Sequence, residues 1–408
     1  MRIHGLWAVA ACGWLACSSD SPPCAKVAQE VTFADSPLVR MQNASLIAAG
    51  DGFTLVGYES GQVRWARVWR GGALTHETAF VLPAPVMGPY FAVATKTAPA
   101  DQLIAIALYP SATVLNGYDL QAFVQDLDAT TAAEPVLLDK PLPAGTDPRK
   151  VRITAGAARS GNRGFVAWGV QIPNRPIQYL VLGANAATVG SGTAFGDWTS
   201  VATPAWDCLA ATNGPSGLGF SIVGPDNQIL EYTDWVTSEM DDAGVMGGET
   251  TYGLKMPVAD CHILGAPAAD GAYDLAFEDS PGIGAAFSYA PRAGSVNGTL
   301  TAYPMVIPAG NFEDPASVPH VAWAAPAGLD MTIGLSRPSG PYVVRYTFQA
   351  VPHGSALSLR SVSGRTGPVS ASVGPDYVYV TYTDQIVGSA SADVLRYFVK
   401  VEASAQLP

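Results

Sequence analysis

One type of strand returns along this chain at nearly even intervals, and that repetition limits the possible folds more than any other feature. It reads Val63-Arg64-Trp65-Ala66-Arg67-Val68, then Leu120-Gln121-Ala122-Phe123-Val124, Ile177-Gln178-Tyr179-Leu180-Val181, Leu230-Glu231-Tyr232, Ala285-Ala286-Phe287-Ser288-Tyr289, Val344-Arg345-Tyr346-Thr347-Phe348 and Leu395-Arg396-Tyr397-Phe398-Val399. Counted from 64, 120, 177, 230, 285, 344 and 395, the steps run between 51 and 59 residues, so seven units of about 55 follow. A period of this size marks a repeat architecture in which neighbouring units bury one another's apolar faces. Beyond residue 44 no convincing amphipathic helix intervenes, only short alternating or continuous runs of β-branched and aromatic residues bounded by Gly, Pro, Asn and Asp. The 42 Gly and 32 Pro are spread over all 408 residues, so turns punctuate the whole chain.

Each unit reads as four strands. In the fourth they are an inner strand near Cys208 to Ala211, a second near Gly219 to Val223, the recurring strand at Ile229 to Thr233 and an outer strand at Thr250 to Leu254. Four short antiparallel strands repeated seven times predict an all-β, seven-bladed β-propeller of four-stranded antiparallel blades, whose radial packing covers both faces of every sheet. The last unit lacks an outer strand after Val399 to Glu402. Upstream of the first unit, Gln29-Glu30-Val31-Thr32-Phe33-Ala34 is similar to the outer strand Glu77-Thr78-Ala79-Phe80-Val81. Pairing this N-terminal strand with the last blade closes the ring and removes two open edges. The layout resembles seven-bladed β-propellers over nearly all of residues 29–402. The resemblance is architectural and names no activity, since a WD dipeptide signature, a sialidase-type Asp box and an Asp-rich calcium loop are all missing. The alternatives are six or eight blades, or two β-sandwich domains, the last at odds with so even a period.

The N-terminus reads as an address. Arg2 precedes an apolar run from Leu6 to Ala16, too short to span a bilayer and of the size of a signal-peptide core. The run ends in Trp14-Leu15-Ala16-Cys17, followed by Ser18-Ser19-Asp20-Ser21-Pro22-Pro23. This resembles the lipobox of bacterial lipoproteins, with Trp14 where Leu is usual. The resemblance implies cleavage before Cys17 and acylation of its thiol. Val9-Ala10-Ala11-Cys12 fits the box better but leaves a very short apolar core, and an ordinary secretory signal is the remaining alternative. The expected organisation is a signal peptide over 1–16, a tether over 17–28 and a single propeller over 29–408. The expected location is the cell envelope, as an outer-membrane lipoprotein facing the periplasm or the cell surface. Cys24, Cys208 and Cys261 then remain in the body. Cys208 and Cys261 occupy matching places in consecutive units, where a disulfide in an oxidising compartment and two buried free thiols are both open.

Charge excludes one class of partner. Only 14% of residues are charged and the net charge is −12, so the cationic footprint that holds a nucleic-acid backbone is absent. No His-Glu-x-x-His, Gly-x-Ser-x-Gly or phosphate-binding loop occurs, and no cofactor is implied. Propeller topology brings distant positions together at one mouth of the channel. The residues that precede the inner strands there are Asp207, Asp260 and His320, with Arg152 in register one unit earlier. The connections between second and third strands add Glu278, Asp279 and Asp384. Trp206 sits beside Asp207, and an indole next to carboxylates suits stacking on a sugar ring, although packing between blades is its commoner role. Carboxylates and an imidazole converging at a rim can bind a cation, hold a hydroxylated ligand or do acid and base work. A solvated rim is the plainer alternative. A second acidic stretch, Glu231, Asp234, Glu239, Asp241, Asp242 and Glu249, is expected mainly in a loop on the opposite face. The expected function is a binding or scaffold protein for a protein or glycan ligand. The alternative is a carbohydrate-active hydrolase or lyase using the rim carboxylates.

Overall fold

The computed structural model describes the twenty-nine strands named below together with residues 111–117, 127, 142–150, 163, 171–172, 175–176, 183, 187, 245, 359 and 369. The chain divides into two compact units, one spanning Arg40–Met305 and the other made of Met1–Val39 with Val306–Pro408. Strand β1 (Val27–Phe33) belongs to the latter.

The unit Arg40–Met305 holds five antiparallel sheets, each of four consecutive strands. Sheet one comprises β2 (Gln42–Ala49), β3 (Gly52–Glu59), β4 (Gln62–Trp69) and β5 (Leu74–Thr78). Sheet two comprises β6 (Phe91–Lys96), β7 (Gln102–Pro110), β8 (Tyr118–Asp126) and β9 (Val136–Asp139). Sheet three follows with β10 (Val151–Ala157), β11 (Gly164–Val170), β12 (Ile177–Leu182) and β13 (Thr188–Ala194). Sheet four has β14 (Asp207–Gly214), β15 (Gly217–Pro225), β16 (Thr233–Met240) and β17 (Met246–Gly253). Sheet five has β18 (Val258–Pro267), β19 (Tyr273–Asp279), β20 (Ala285–Ala290) and β21 (Thr301–Pro304).

The first strands of these sheets succeed one another in chain order, β2 beside β6, β6 beside β10, β10 beside β14 and β14 beside β18. Between sheets two and three the packing is explicit. Ile104, Ile106 and Leu108 of β7 and Leu120, Ala122 and Val124 of β8 fall on alternate positions. They form one cluster with Val166, Trp168 and Val170 of β11 and Leu180 and Leu182 of β12. The intervening residues of β7, from Leu103 to Tyr109, are buried as well, so this strand is covered on both faces. A strand sandwiched in this way needs a continuous apolar run, and Leu103-Ile104-Ala105-Ile106-Ala107-Leu108 supplies it. Each aliphatic side chain fully removed from water here stabilises the fold by roughly 1.5 to 3 kcal/mol. One polar link joins sheets three and four: the Ala211 backbone N–H donates to Thr154 Oγ1 at 3.0 Å.

The other unit holds sheet six, β22 (His320–Ala327), β23 (Asp330–Arg337), β24 (Gly340–Tyr346) and β25 (Leu357–Ser358). Its second sheet contains β26 (Gly364–Thr366), β27 (Ser370–Val373), β28 (Tyr377–Ile386) and β29 (Val394–Glu402). β26 and β27 pair in succession along one edge of β28, and the sequence between them contains Gly367-Pro368, which supplies no proline N–H donor for a ladder. On the far side of β28 lies β29, and β1 pairs antiparallel to β29 with Val31 opposite Phe398. Buried Tyr382 anchors this unit by donating its hydroxyl to the Leu359 carbonyl at 2.8 Å.

Sheet four corrects one expectation. Its third strand is Thr233–Met240 and not Ile229 to Thr233, and its outer strand is Met246–Gly253. The triplet Leu230-Glu231-Tyr232 lies outside the described residues, and the ladder pairing falls instead on the run Trp235-Val236-Thr237. That run pairs on both sides, with Val223, Ile222 and Ser221 and with Tyr252, Thr251 and Thr250. Asp234, Glu239 and Glu249 consequently stand in strands instead of the expected loop, whereas Glu231, Asp241 and Asp242 lie outside the described residues.

Candidate functional site

In sheets of this topology the start of the first strand, the end of the second and the start of the third share one end. Sheet five shows what collects there. Asp260 of β18 is the register partner of Glu278, which is in turn opposite Ala285, and Val258 is the partner of Asp279. Three acidic residues from two strands therefore occupy one sheet end. Register partners in an antiparallel pair have Cα atoms roughly 4.5 to 5.5 Å apart. In sheet four Asp207 opens β14 and is the partner of Val223. Because β14 lies beside β18, Asp207 and Asp260 stand near the beginnings of adjacent first strands.

His320 opens β22 opposite Ser336, and Asp384 of β28 lies opposite Thr366 and Leu395; both belong to the other unit. Cys17 and Trp206 lie outside the described residues. Cys208 falls in the irregular interval between Asp207 and Ala210, and Cys261 is the partner of Phe277. No disulfide is found among the described residues.

At the corresponding end of sheet three, Arg152 is joined by three further cations that its sequence register did not indicate. A 3-10 turn, Pro148–Lys150, leads into β10 and is capped by Asp147. The Asp147 carboxylate accepts from the Arg149 backbone N–H at 3.0 Å and from Arg149 Nε at 3.2 Å. The Arg149 backbone N–H, then its guanidinium, hold this carboxyl below the usual aspartate range. The Lys150 N–H donates to the Asp147 carbonyl at 2.9 Å, and the Lys150 carbonyl accepts from Gln171 N–H at 3.0 Å. Arg152 donates from Nη1 to the Arg149 carbonyl. Arg175, in the β11 to β12 connection, completes the group, since Trp168 and Gln178 are register partners. The sequence signal was Asp147-Pro148, a capping residue before a proline in the first helical turn, followed directly by Arg149-Lys150.

Sheet two presents a closed loop at this end. Ser111 N–H donates to the Gly117 carbonyl at 2.9 Å, and Ser111 Oγ accepts from the N–H groups of Thr113 and Val114, each at 3.2 Å. Asn116 adopts φ 57°, a left-handed conformation that Asn tolerates, and Leu115 at the tip is 93% exposed.

No protein-family model and no curated protein matches the chain. Solved structures do. The chain is similar to polysaccharide lyase Uly1, with a TM-score of 0.53 and 11% identity over 92% of this chain and 99% of that one. It is also similar to the β-propeller domain of the Trilobed protease from Pyrococcus furiosus, with a TM-score of 0.44 and 9% identity over 88% and 94%. The Aleuria aurantia lectin gives a TM-score of 0.39 and 10% identity over 90% and 98%. At such identities only the fold is shared: this is an all-β chain of antiparallel four-stranded sheets whose structural neighbours are β-propellers.

Proposed function

We propose that the chain is an exported, lipid-anchored, seven-bladed β-propeller that binds a glycan at the sheet ends carrying Asp207, Asp260, Glu278 and Asp279. The observation that carries this reading is the β18 to β19 register, which sets Asp260 opposite Glu278 in a chain with few charges. Paired carboxylates accept from the vicinal hydroxyls of a sugar, and Trp206, next to Asp207 in sequence, supplies an indole for stacking. His320, which opens β22 in the other unit, is a further candidate ligand residue. The pairing of β1 with β29 gives the last sheet its outer strand. Cys208 and Cys261, on neighbouring first strands, are the pair for a disulfide formed after export.

A glycan array probed with wild type and with the Asp260→Asn, Glu278→Gln double variant tests the site. Binding that disappears in the variant supports it, and binding that persists places the ligand elsewhere. Fatty-acid labelling lost in Cys17→Ala tests the anchor, and label retained there overturns Cys17 as its site. Deleting β1 unpairs several backbone groups along β29, each costing roughly 1 to 3 kcal/mol, so the truncated protein should melt markedly earlier. An unchanged melting temperature would mean that this segment adds nothing to the last sheet.

A second reading, a hydrolase or lyase, draws on the same register. Two carboxylic residues at one sheet end are the residue types a glycosidase uses as acid and as base or nucleophile. The polysaccharide lyase among the structural neighbours suggests the substrate class. New reducing ends released from a bound polysaccharide, and absent with Glu278→Gln, would favour this reading over binding alone.

A further inference from the structure

The end of sheet three at which β10 begins departs from the charge of the chain as a whole, which is −12. Arg149, Lys150, Arg152 and Arg175 stand there, and the carboxylate described among them, Asp147, is bonded to Arg149. The group is held by backbone, not only by side chains. The turn is capped by Asp147, its last carbonyl is tied to Gln171 of the next connection, and Arg152 is tied to the turn itself. Arg149 is 82% exposed and Lys150 is exposed, whereas Arg152 and Arg175 are half-buried, so the cations run from solvent down to the sheet. Arg163 immediately precedes β11 and so stands at the opposite end of the same sheet.

Cations on a fixed backbone lose little freedom when an anion arrives, and guanidinium forks match carboxylate and sulfate oxygens. We infer that the β10 end of sheet three is an anion subsite and that the glycan bound at sheets four and five is an acidic one, bearing carboxylate or sulfate groups. The inference rests on the glycan reading above. Its geometry is consistent with that reading, because β10 adjoins β14 and β14 adjoins β18. Asp260, Glu278 and Asp279 repel an acidic substituent, and the cations of sheet three receive it, which orients the chain of sugars across the three sheet ends.

Calorimetry on the full mature protein tests this with four probes: a uronate oligosaccharide, a sulfated galactan oligosaccharide, a neutral galactan oligosaccharide of equal length, and inorganic sulfate. At least one acidic sugar should bind tenfold or more tighter than the neutral one, and the preferred acid identifies the substituent. The Arg149→Gln, Lys150→Gln variant should lose that tenfold advantage, and Arg149→Lys, Lys150→Arg should retain it. Equal binding of neutral and acidic sugars, unchanged in the variant, overturns the subsite and leaves the glycan reading intact. Sulfate bound by wild type and lost in the variant, with no sugar bound, upholds the subsite and overturns the glycan reading. Failure of every anionic probe to bind overturns the subsite outright.

Discussion

β11 and β13 lie in one sheet with a single strand between them and meet opposite surroundings. Every residue of β11 is buried, on both faces, while β13 is exposed or half-buried until Ala194. Composition explains the contrast. Phe165-Val166-Ala167-Trp168 offers apolar surface to a neighbour on either side, and Thr188-Val189-Gly190-Ser191-Gly192-Thr193 offers little to either. Burial within a sheet therefore follows strand order. The middle strands hold the stack together, the outer strand is free to vary, and chemistry is left to the sheet ends, where charged residues can stand without being buried.

The sharpest way to break this comparison is to hollow out β11. Phe165 is 0% exposed, and Phe165→Ala should cost about 3 to 5 kcal/mol in urea denaturation. A loss below about 1 kcal/mol would mean that sheets do not cover both faces of this strand. Overfilling should cost less. Gly156 is the register partner of Phe165, and a Cβ there would sit 2.5 Å from Phe165 Cε1 and 2.9 Å from Ala211 Cβ, so Gly156→Ala should destabilise by about 1 to 3 kcal/mol. Thr154→Val keeps the volume but removes the acceptor for Ala211 N–H, with an expected loss of about 1 kcal/mol by the same denaturation assay. On β13, Val189 is 43% exposed, and Val189→Ser should stay within about 0.5 kcal/mol. A larger change would erase the contrast from the other side. The smallest effect concerns pH. The folded-state pKa of Asp147 is lowered, so its contribution is present above the ordinary aspartate pKa and is lost as pH falls through the lowered value. Asp147 is half-buried and its partner Arg149 is largely in solvent, so Asp147→Asn should only slightly flatten the acid limb of a melting-temperature profile.

Much of the framework was legible because a strand covered on both faces cannot disguise its composition. Leu120 to Val124, Ile177 to Val181 and Ala285 to Tyr289 all fall in third strands of their sheets. The third strand of the fourth unit was not legible, because Leu230-Glu231-Tyr232 and Trp235-Val236-Thr237 read alike and pairing on two sides, which decides for Thr233–Met240, is not a local property. Asp260 and Glu278 were both singled out, yet their being opposite one another depends on the irregularity between Val258 and Asp260, which spacing alone does not reveal. The cations of sheet three were passed over, Arg152 excepted. Arg149 and Arg175 are distant in sequence and share an end only once β10, β11 and β12 are in register.

Hydrogen exchange in the presence of a bound acidic oligosaccharide tests the central claim most directly, because amide protection reports where on each strand the ligand sits. The account predicts added protection at 147–152, at the beginnings of β14 and β18 and at the end of β19, with β13 unchanged. Protection confined to the opposite ends of these sheets, at the turns joining β10 to β11 and β14 to β15, would contradict it.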